Sequence, residues 1–337
     1  MKLRHVFLIM FIAVLPLACA QVTHIVIPAG TPEDAAIQEI TNENDSEKRL
    51  ALLHSFVEKF AANPAAVAFG NLQLSQYYAG KGDTAQALAF GDKALAATPN
   101  DLDILMAQAN LALQAKDYGR AVDYAARGGT AVQGIGKQPK PTDLSDEEFA
   151  SRVRQERESV QQLNESLEAL AVNAIAAESE PRRKVEEVEK FEAGFPNSKY
   201  ETQVAANAVV AFQQLNDAPR LAAYGEKALA ANPDNAPLLS VLAGALVEHN
   251  AYFQRAMDYA HKAITLAKAD APDADTPRKL AAGTAHTALG FGFMKQEKNA
   301  AAVAELKRAV VLLKEDPVGS EKASYLLAYG YAKLKNY

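Results

Sequence analysis

The chain offers few side chains in a spacing that could run a reaction. Gly134-Ile135-Gly136-Lys137 is a fragment of the loop that cradles a phosphate on backbone N–H groups, with a lysine to balance the charge. The complete loop needs glycine where Ala131 stands, Ser or Thr where Gln138 stands, and a strand ahead of it; none is present. The histidines His24, His54, His249, His261 and His286 form no His-Glu-x-x-His pair, and Cys19 is the single cysteine. A metal site then has no ligand set to start from. Glu147-Glu148, Glu156 with Glu158, and Glu186-Glu187 are acid pairs of the kind that decorate solvated helices. A glycosidase would need two acids converging in one cleft, and nothing in the string selects a pair. No Gly-x-Ser-x-Gly elbow occurs either. The sequence therefore predicts a non-enzyme without cofactor or metal, with a helical carbohydrate-active enzyme kept as an alternative.

The elements that would position any binding residue are more informative. One helix is written four times: Phe90-Gly91-Asp92-Lys93-Ala94-Leu95, Tyr124-Ala125-Ala126-Arg127-Gly128, Tyr224-Gly225-Glu226-Lys227-Ala228-Leu229 and Tyr259-Ala260-His261-Lys262-Ala263-Ile264. Phe90 to Tyr124 is 34 residues, and Tyr224 to Tyr259 is 35. A period near 34 marks stacked helical hairpins, each too small to bury its own apolar face. The stretches between breaks are rich in Ala, Leu, Glu, Gln and Lys, and the breaks are Asn-Pro, Thr-Pro and Gly-Asp. Beyond an extended tail at Val22 to Ile27, no alternating β-branched run survives. The predicted class is all-α, an α-solenoid of helical hairpins with a long central helix. The hairpins fall near 32–64 (ending at Pro64), 68–101, 102–135, 165–198, 202–235 and 237–270. A seventh starts near Gly283, and a lone first helix follows around 321–335.

The order Leu-small-x-x-aromatic, Gly-Asp, Ala, Ala-Leu and Pro resembles the tetratricopeptide repeat (TPR), over most of the chain after residue 20. Its packing positions here are Tyr78, Ala87, Phe90, Gly91, Ala94 and Pro99, then Ala121 and Tyr124. In the second half they are Tyr224, Gly225, Ala228 and Pro233, then Ala256, Tyr259 and Ala263, then Leu289, Gly290, Ala302 and Ala309. Where the family often places an aromatic, this chain has Gly91, Ala125, Gly225 and Ala260, with the bulk moved to the neighbouring aromatic, and it has no tryptophan. The resemblance implies a concave wall built from the first helix of each hairpin. Facing it would be Leu72, Gln76, Met106, Asn110, Gln114, Ala206, Val210, Gln213, Val241, Ala245, Thr287, Phe291, Tyr325 and Tyr329. Members of the family that bind chaperones hold a terminal carboxylate with Lys, Arg and Asn; only Asn110 is of that type, so no carboxylate clamp is expected. An apolar wall with amide patches suits an extended or helical protein segment, unless the tail or the central helix covers it.

A longer repetition lies above the hairpins. Val57-Glu58-Lys59-Phe60 recurs as Val188-Glu189-Lys190-Phe191, and Gly91–Pro99 recurs as Gly225–Pro233 with two differences. This predicts an N-terminal lobe over 32–135, a connector and start of a long helix over 136–164, and a C-terminal lobe over 165–337. Gly128-Gly129 and residues 133–141 read as an irregular connector. Ser145 with Glu148 is a capping box that opens a helix from Asp146 to about Glu178.

Residues 1–20 read as a secretory signal: Lys2 and Arg4, an apolar run from Val6 to Leu17, and Ala18-Cys19-Ala20 as cleavage site. Residues 21–31 then form an extended tail. Lipidation of Cys19 is the alternative, although Pro16 stands where such sites carry an aliphatic residue. With Lys2 and Arg4 set aside, 35 basic residues fall to 33 against 41 acidic ones, a formal charge of −8. That balance, with no basic cluster, speaks against nucleic acid, and no segment after the signal is apolar enough to span a membrane. The final half-hairpin, rich in tyrosine, is a candidate surface for self-association. Together these features predict an exported, periplasmic or secreted scaffold binding protein or peptide segments. An envelope lipoprotein in outer-membrane assembly or cell-wall synthesis is the alternative.

Overall fold

The computed structural model describes residue 22, residues 24–250 and residues 252–335. Residues 1–20, expected to be a signal, with Cys19 and Ala20, the expected new terminus Gln21, and Tyr337 lie outside the described residues. Those described form fifteen helices. Two short ones, α1 (Pro32–Asn42) and α2 (Ser46–Lys59), precede three pairs. The pairs are α3 (Pro64–Gly80) with α4 (Thr84–Ala97), α5 (Leu102–Gln114) with α6 (Tyr118–Gly134), and α7 (Asp146–Ala177) with α8 (Pro181–Gly194). Then come α9 (Glu201–Gln214) with α10 (Ala218–Ala231), α11 (Ala236–Glu248) with α12 (Phe253–Ala267), and α13 (Thr276–Lys295) with α14 (Asn299–Leu312). The single helix α15 (Pro317–Lys335) packs on α14 and α13. The protein is all-α, with helices packed pairwise as TPR-like hairpins.

One turn is repeated within the hairpins. A left-handed residue follows the first helix: Gly82 at φ 79°, Lys116 at 60°, Asn216 at 57° and Glu297 at 62°. Its own N–H and the next one reach back to the helix end, as in Asp83 N to Tyr78 O at 3.0 Å and Asp217 N to Phe212 O at 2.9 Å. This closes the orphan carbonyls of the first helix. The following Asp83, Asp117 or Asp217 then accepts an N–H from the first turn of the second helix. Turn chemistry thus alternates with apolar stripes along the chain.

Between hairpins, contact depends on small residues. A Cβ on Gly91 would stand 1.9 Å from Gln108 Cδ, and one on Gly225 would stand 2.2 Å from Leu242 Cδ2. Ala125 and Ala260, at the matching positions, are fully buried. The shifted tyrosines tie successive hairpins together: Tyr124 donates to Asp92 at 2.6 Å and Tyr224 to Glu192 at 2.8 Å. Burial and the adjacent carboxylate push the Tyr224 phenol up to about 12. Ala87, Ala94, Ala121, Ala228, Ala256, Ala263, Ala302 and Ala309 are fully buried, as are Leu289 and Gly290. Tyr78 and Tyr259 are half-buried, and Pro99 and Pro233 sit exposed in loops. A buried polar bridge, Gln108 Nε2 to Ser75 Oγ to Ala87 O, joins α5, α3 and α4.

Three sequence readings are corrected. Gly128, Gly129, Gln133 and Gly134 are not an irregular connector; they are the last turns of α6, and the irregular stretch begins at Ile135. The glycines serve contact: a Cβ on Gly129 would stand 2.3 Å from Gly194 O, and one on Gly194 would stand 2.6 Å from Ala126 Cα. Here the backbones of α6 and α8 touch, and Gln133 donates to the Ala193 and Gly194 carbonyls. Pro64 does not end a unit; Asn63 caps α3 and Pro64 is its first residue. The seventh hairpin starts at Thr276, capped by Asp275, ahead of Gly283. The central helix follows the capping box, with Ser145 and Glu148 bonded reciprocally. Its second half is buried through Leu167, Ala171 and Ile175, and Arg157 in its first half donates to Ile135 O. One contiguous apolar core reaches from Ala68 to Leu289, across the boundary between the two expected lobes.

Candidate functional site

Of the first helices, α5 leaves a clear stripe uncovered. On α5 everything but Asp103, Ala107, Asn110 and Gln114 is at least half-buried, and these four recur at helical spacing. Met106 flanks that stripe half-buried; on α3, Leu72 is half-buried and Gln76 exposed. Asn110 turns its amide back to Met106 O at 3.0 Å. On α9, Val210 is exposed and Ala206 and Gln213 are half-buried.

Four of the expected wall residues, Gln213, Val241, Thr287 and Phe291, line one pocket of about 500 Å³ including its open mouth. It lies among α9, α11, α13 and α15, and Gly244, Glu248 and Lys322 complete its sides. Val241, Gly244 and Glu248 follow one another at three and four residues, so the stripe on α11 passes through Gly244. Ala245 is fully buried and does not face the wall, which corrects its placement. Thr287 is spent on its own helix, donating to Gly283 O at 2.9 Å. Val241, Ala288, Phe291 and Leu313 leave a mainly apolar floor, with the Gln213 amide and Thr284 hydroxyl as polar groups of the lining.

Charge is added at the rim by residues that the wall pattern had not included. Lys322 of α15 pairs with Glu248 of α11. Burial holds the Lys322 ammonium below its usual range. Lys295 lies 4.9 Å from the centre of the Phe291 ring and donates to Val247 O at 2.6 Å and Glu248 O at 3.2 Å. It thereby closes the end of α11 and fixes the ring. The signal for Glu248 and Lys322 was present: Glu248 is one turn beyond Gly244 and two beyond Val241, and Lys322 is one turn before Tyr325. Tyr325 and Tyr329 continue the stripe of Lys322 on α15, and Tyr325 is 70% exposed.

The histidines are elsewhere. His286 is buried between α13 and α14, its Nδ1 2.6 Å from Glu305 Oε2, and that bond holds the Glu305 carboxyl below the usual range. Among the described residues no group of three His, Cys, Asp or Glu side chains is placed to hold a metal ion, and no helix is long and apolar enough to cross a membrane.

No protein-family model matches the chain, and no curated protein sequence does. Solved structures do. The C-terminal part of a TPR repeat-containing protein from Cytophaga hutchinsonii is 10% identical with a TM-score of 0.37, covering 86% of this chain and 98% of that one. A tetratricopeptide repeat protein from Parabacteroides merdae is 13% identical with a TM-score of 0.32, covering 88% and 98%. The TPR2AB domain of yeast Sti1 in complex with pHSP90 is 15% identical with a TM-score of 0.30, covering 78% and 98%. Each is similar in being a helical-repeat protein. The hairpin architecture of this chain stands on its own turns and helix pairings.

Proposed function

We propose that this chain is a non-catalytic scaffold, exported to the periplasm or beyond the cell, that holds a segment of a partner protein on its concave wall. The observation that carries the reading is the pocket itself. Gln213, Val241, Thr287 and Phe291 come from three separate first helices and converge on one opening. An apolar floor with one amide and a charged rim fits an apolar side chain on a peptide backbone, the usual form of a binding hot spot. Export rests on residues 1–20 alone, and a lipoprotein anchored through Cys19 is its variant.

Selection of a random peptide-display library on the chain from Gln21 onward tests the binding reading. A consensus should emerge whose affinity falls at least tenfold in Phe291→Glu, a loss of about 1.4 kcal/mol. No enrichment, or binding indifferent to that substitution, would sink it. Mass spectrometry of the processed terminus separates the two forms of export: a start at Gln21 removes the lipoprotein, and a diacylated Cys19 establishes it.

A further inference from the structure

The described start of the chain lies along one edge of the N-terminal half of the wall. Residues 22 and 24–28 form neither helix nor turn, and they lie against α5 and α7. His24 Nδ1 lies 3.9 Å from Asp103 Oδ2, on the one uncovered stripe of α5. Val22 and His24 border a pocket whose other wall is Arg152, Gln155, Glu156 and Ser159 of α7. The segment therefore bridges two neighbouring first helices on their open side.

From His24 to Pro28 exposed and half-buried residues alternate, and Val22 falls outside that alternation. Ile25 and Ile27 are half-buried, whereas Val26 between them is 68% exposed, and Val22 is only 9% exposed. Ile25 packs on the core that also carries Leu72 and Met106, and Ile27 packs on the cluster of α1 to α4. The backbone contributes nothing comparable: among the described residues no backbone–backbone hydrogen bond involves residues 24–29. Between the segment and α1 stands Gly30, at φ 78°, its N–H bonded to Asp34 Oδ2 at 2.8 Å, and Thr31 Oγ1 donates to Pro28 O. The turn is thus tied to α1, and a segment held ahead of it by side chains alone can leave its seat without unfolding a helix.

We infer that residues 22 and 24–27 are an intramolecular ligand of the groove between α5 and α7, which an apolar segment of a partner must displace. This rests on the scaffold reading and adds regulation to it. The seat selects chains with apolar residues at the spacing of Val22, Ile25 and Ile27, and its apparent affinity is reduced by the fraction of time the chain's own segment is home.

The probe is a fluorescent synthetic peptide of residues 22–30, titrated by anisotropy against the full chain from Gln21. Val22→Asp with Ile25→Asp detaches the segment, and circular dichroism reports whether the helices persist. The detached variant should bind the peptide at least tenfold more tightly than the parent. Equal affinity, or none in either, overturns the inference. Ser159→Arg, an exposed change in the pocket that Val22 and His24 border, supplies a second measurement. It should abolish peptide binding and speed elastase cleavage within residues 22–30; unchanged cleavage places the segment off the wall. Peptides selected at the Phe291 pocket report separately on the scaffold reading: if they bind while the 22–30 peptide does not, only self-occupation fails.

Discussion

The two halves of the proposed binding wall are built from the same hairpin and differ in what lies against them. Beside α5 and α7 lies the chain's own N-terminal segment, with Val22 buried and Ile25 half-buried against the core. Around α9, α11, α13 and α15 nothing covers the apolar floor among the described residues, and a Glu248–Lys322 pair guards its rim. The difference does not arise in the packing residues, which are alike in both halves down to the repeated Gly91 and Gly225. It arises in what flanks the repeats: a β-branched tail at one end, and a helix without a partner at the other. In such stacks, architecture is carried by nearest-neighbour contact, and function by whatever the ends and insertions add.

The joint between the halves gives the most severe way to break this comparison. At Gly129 and Gly194 the backbones of α6 and α8 meet, and a methyl at residue 129 has no room beside Gly194 O or the Phe195 ring. Gly129→Ala should lower stability by about 3 kcal/mol, overpacking outweighing the gain of about 1 kcal/mol in helix propensity. Because coupling passes from neighbour to neighbour, urea unfolding should then show two transitions, one for each half. Gly80→Ala, where nothing lies within 4 Å of the new Cβ, is the control and should not destabilise. A single unshifted transition in Gly129→Ala would mean that the halves are not coupled through this contact.

A gentler lever lies in the same joint. Glu187 of α8 is 2% exposed, faces Gly119 of α6, and neither carboxylate oxygen has a hydrogen-bond partner. Burial first, and Glu178 second, push its carboxyl up to about 8, against the pull of Lys184, Lys190 and Arg183. The folded protein therefore holds a proton that the unfolded chain releases near 4.5. Stability from this group is present at low pH and is lost as pH rises from about 4.5 through 8. We expect a loss of about 2 kcal/mol over that window, less than the full shift allows because water enters the joint as the carboxylate ionises. Glu187→Gln keeps the neutral shape, so its midpoint in urea should stay level from pH 5 to pH 8. A parent and variant that decline in parallel would remove Glu187 as the cause.

Much of this was legible in the string, and for identifiable reasons. Asp83, Asp117 and Asp217 cap second helices, and Ser145 with Glu148 opens the long one, because capping and turn chemistry act over three or four residues. The wall residues Gln213, Val241, Thr287 and Phe291 converge because a period near 34 carries one face from hairpin to hairpin. What failed was what depends on a distant neighbour. Gly128-Gly129 looks like a loop until Gly194 is known to lie against it, and Ala245 looks like wall until Gly244 is seen to hold that place. The seat of the tail follows no local rule, since it depends on which stripe of α5 and α7 is left open.

The finest distinction between the halves is in the turn they share. Each needs one residue at positive φ, and this chain fills the position with Gly82 and Lys116 on one side and with Asn216 and Glu297 on the other. A side chain bearing Cβ is disfavoured there by about 1 kcal/mol, least of all for Asn, while glycine adds freedom to the unfolded chain. Glu297→Gly and Lys116→Gly should therefore each raise stability, by roughly 0.5 kcal/mol, whereas Asn216→Gly should change little. If the halves unfold separately once Gly129→Ala is present, each change should move only its own transition, Lys116→Gly the first and Glu297→Gly the second. A shift of both by one substitution would show that the coupling runs through more than the α6–α8 contact, with α7, packed on both α5 and α9, as the remaining bridge.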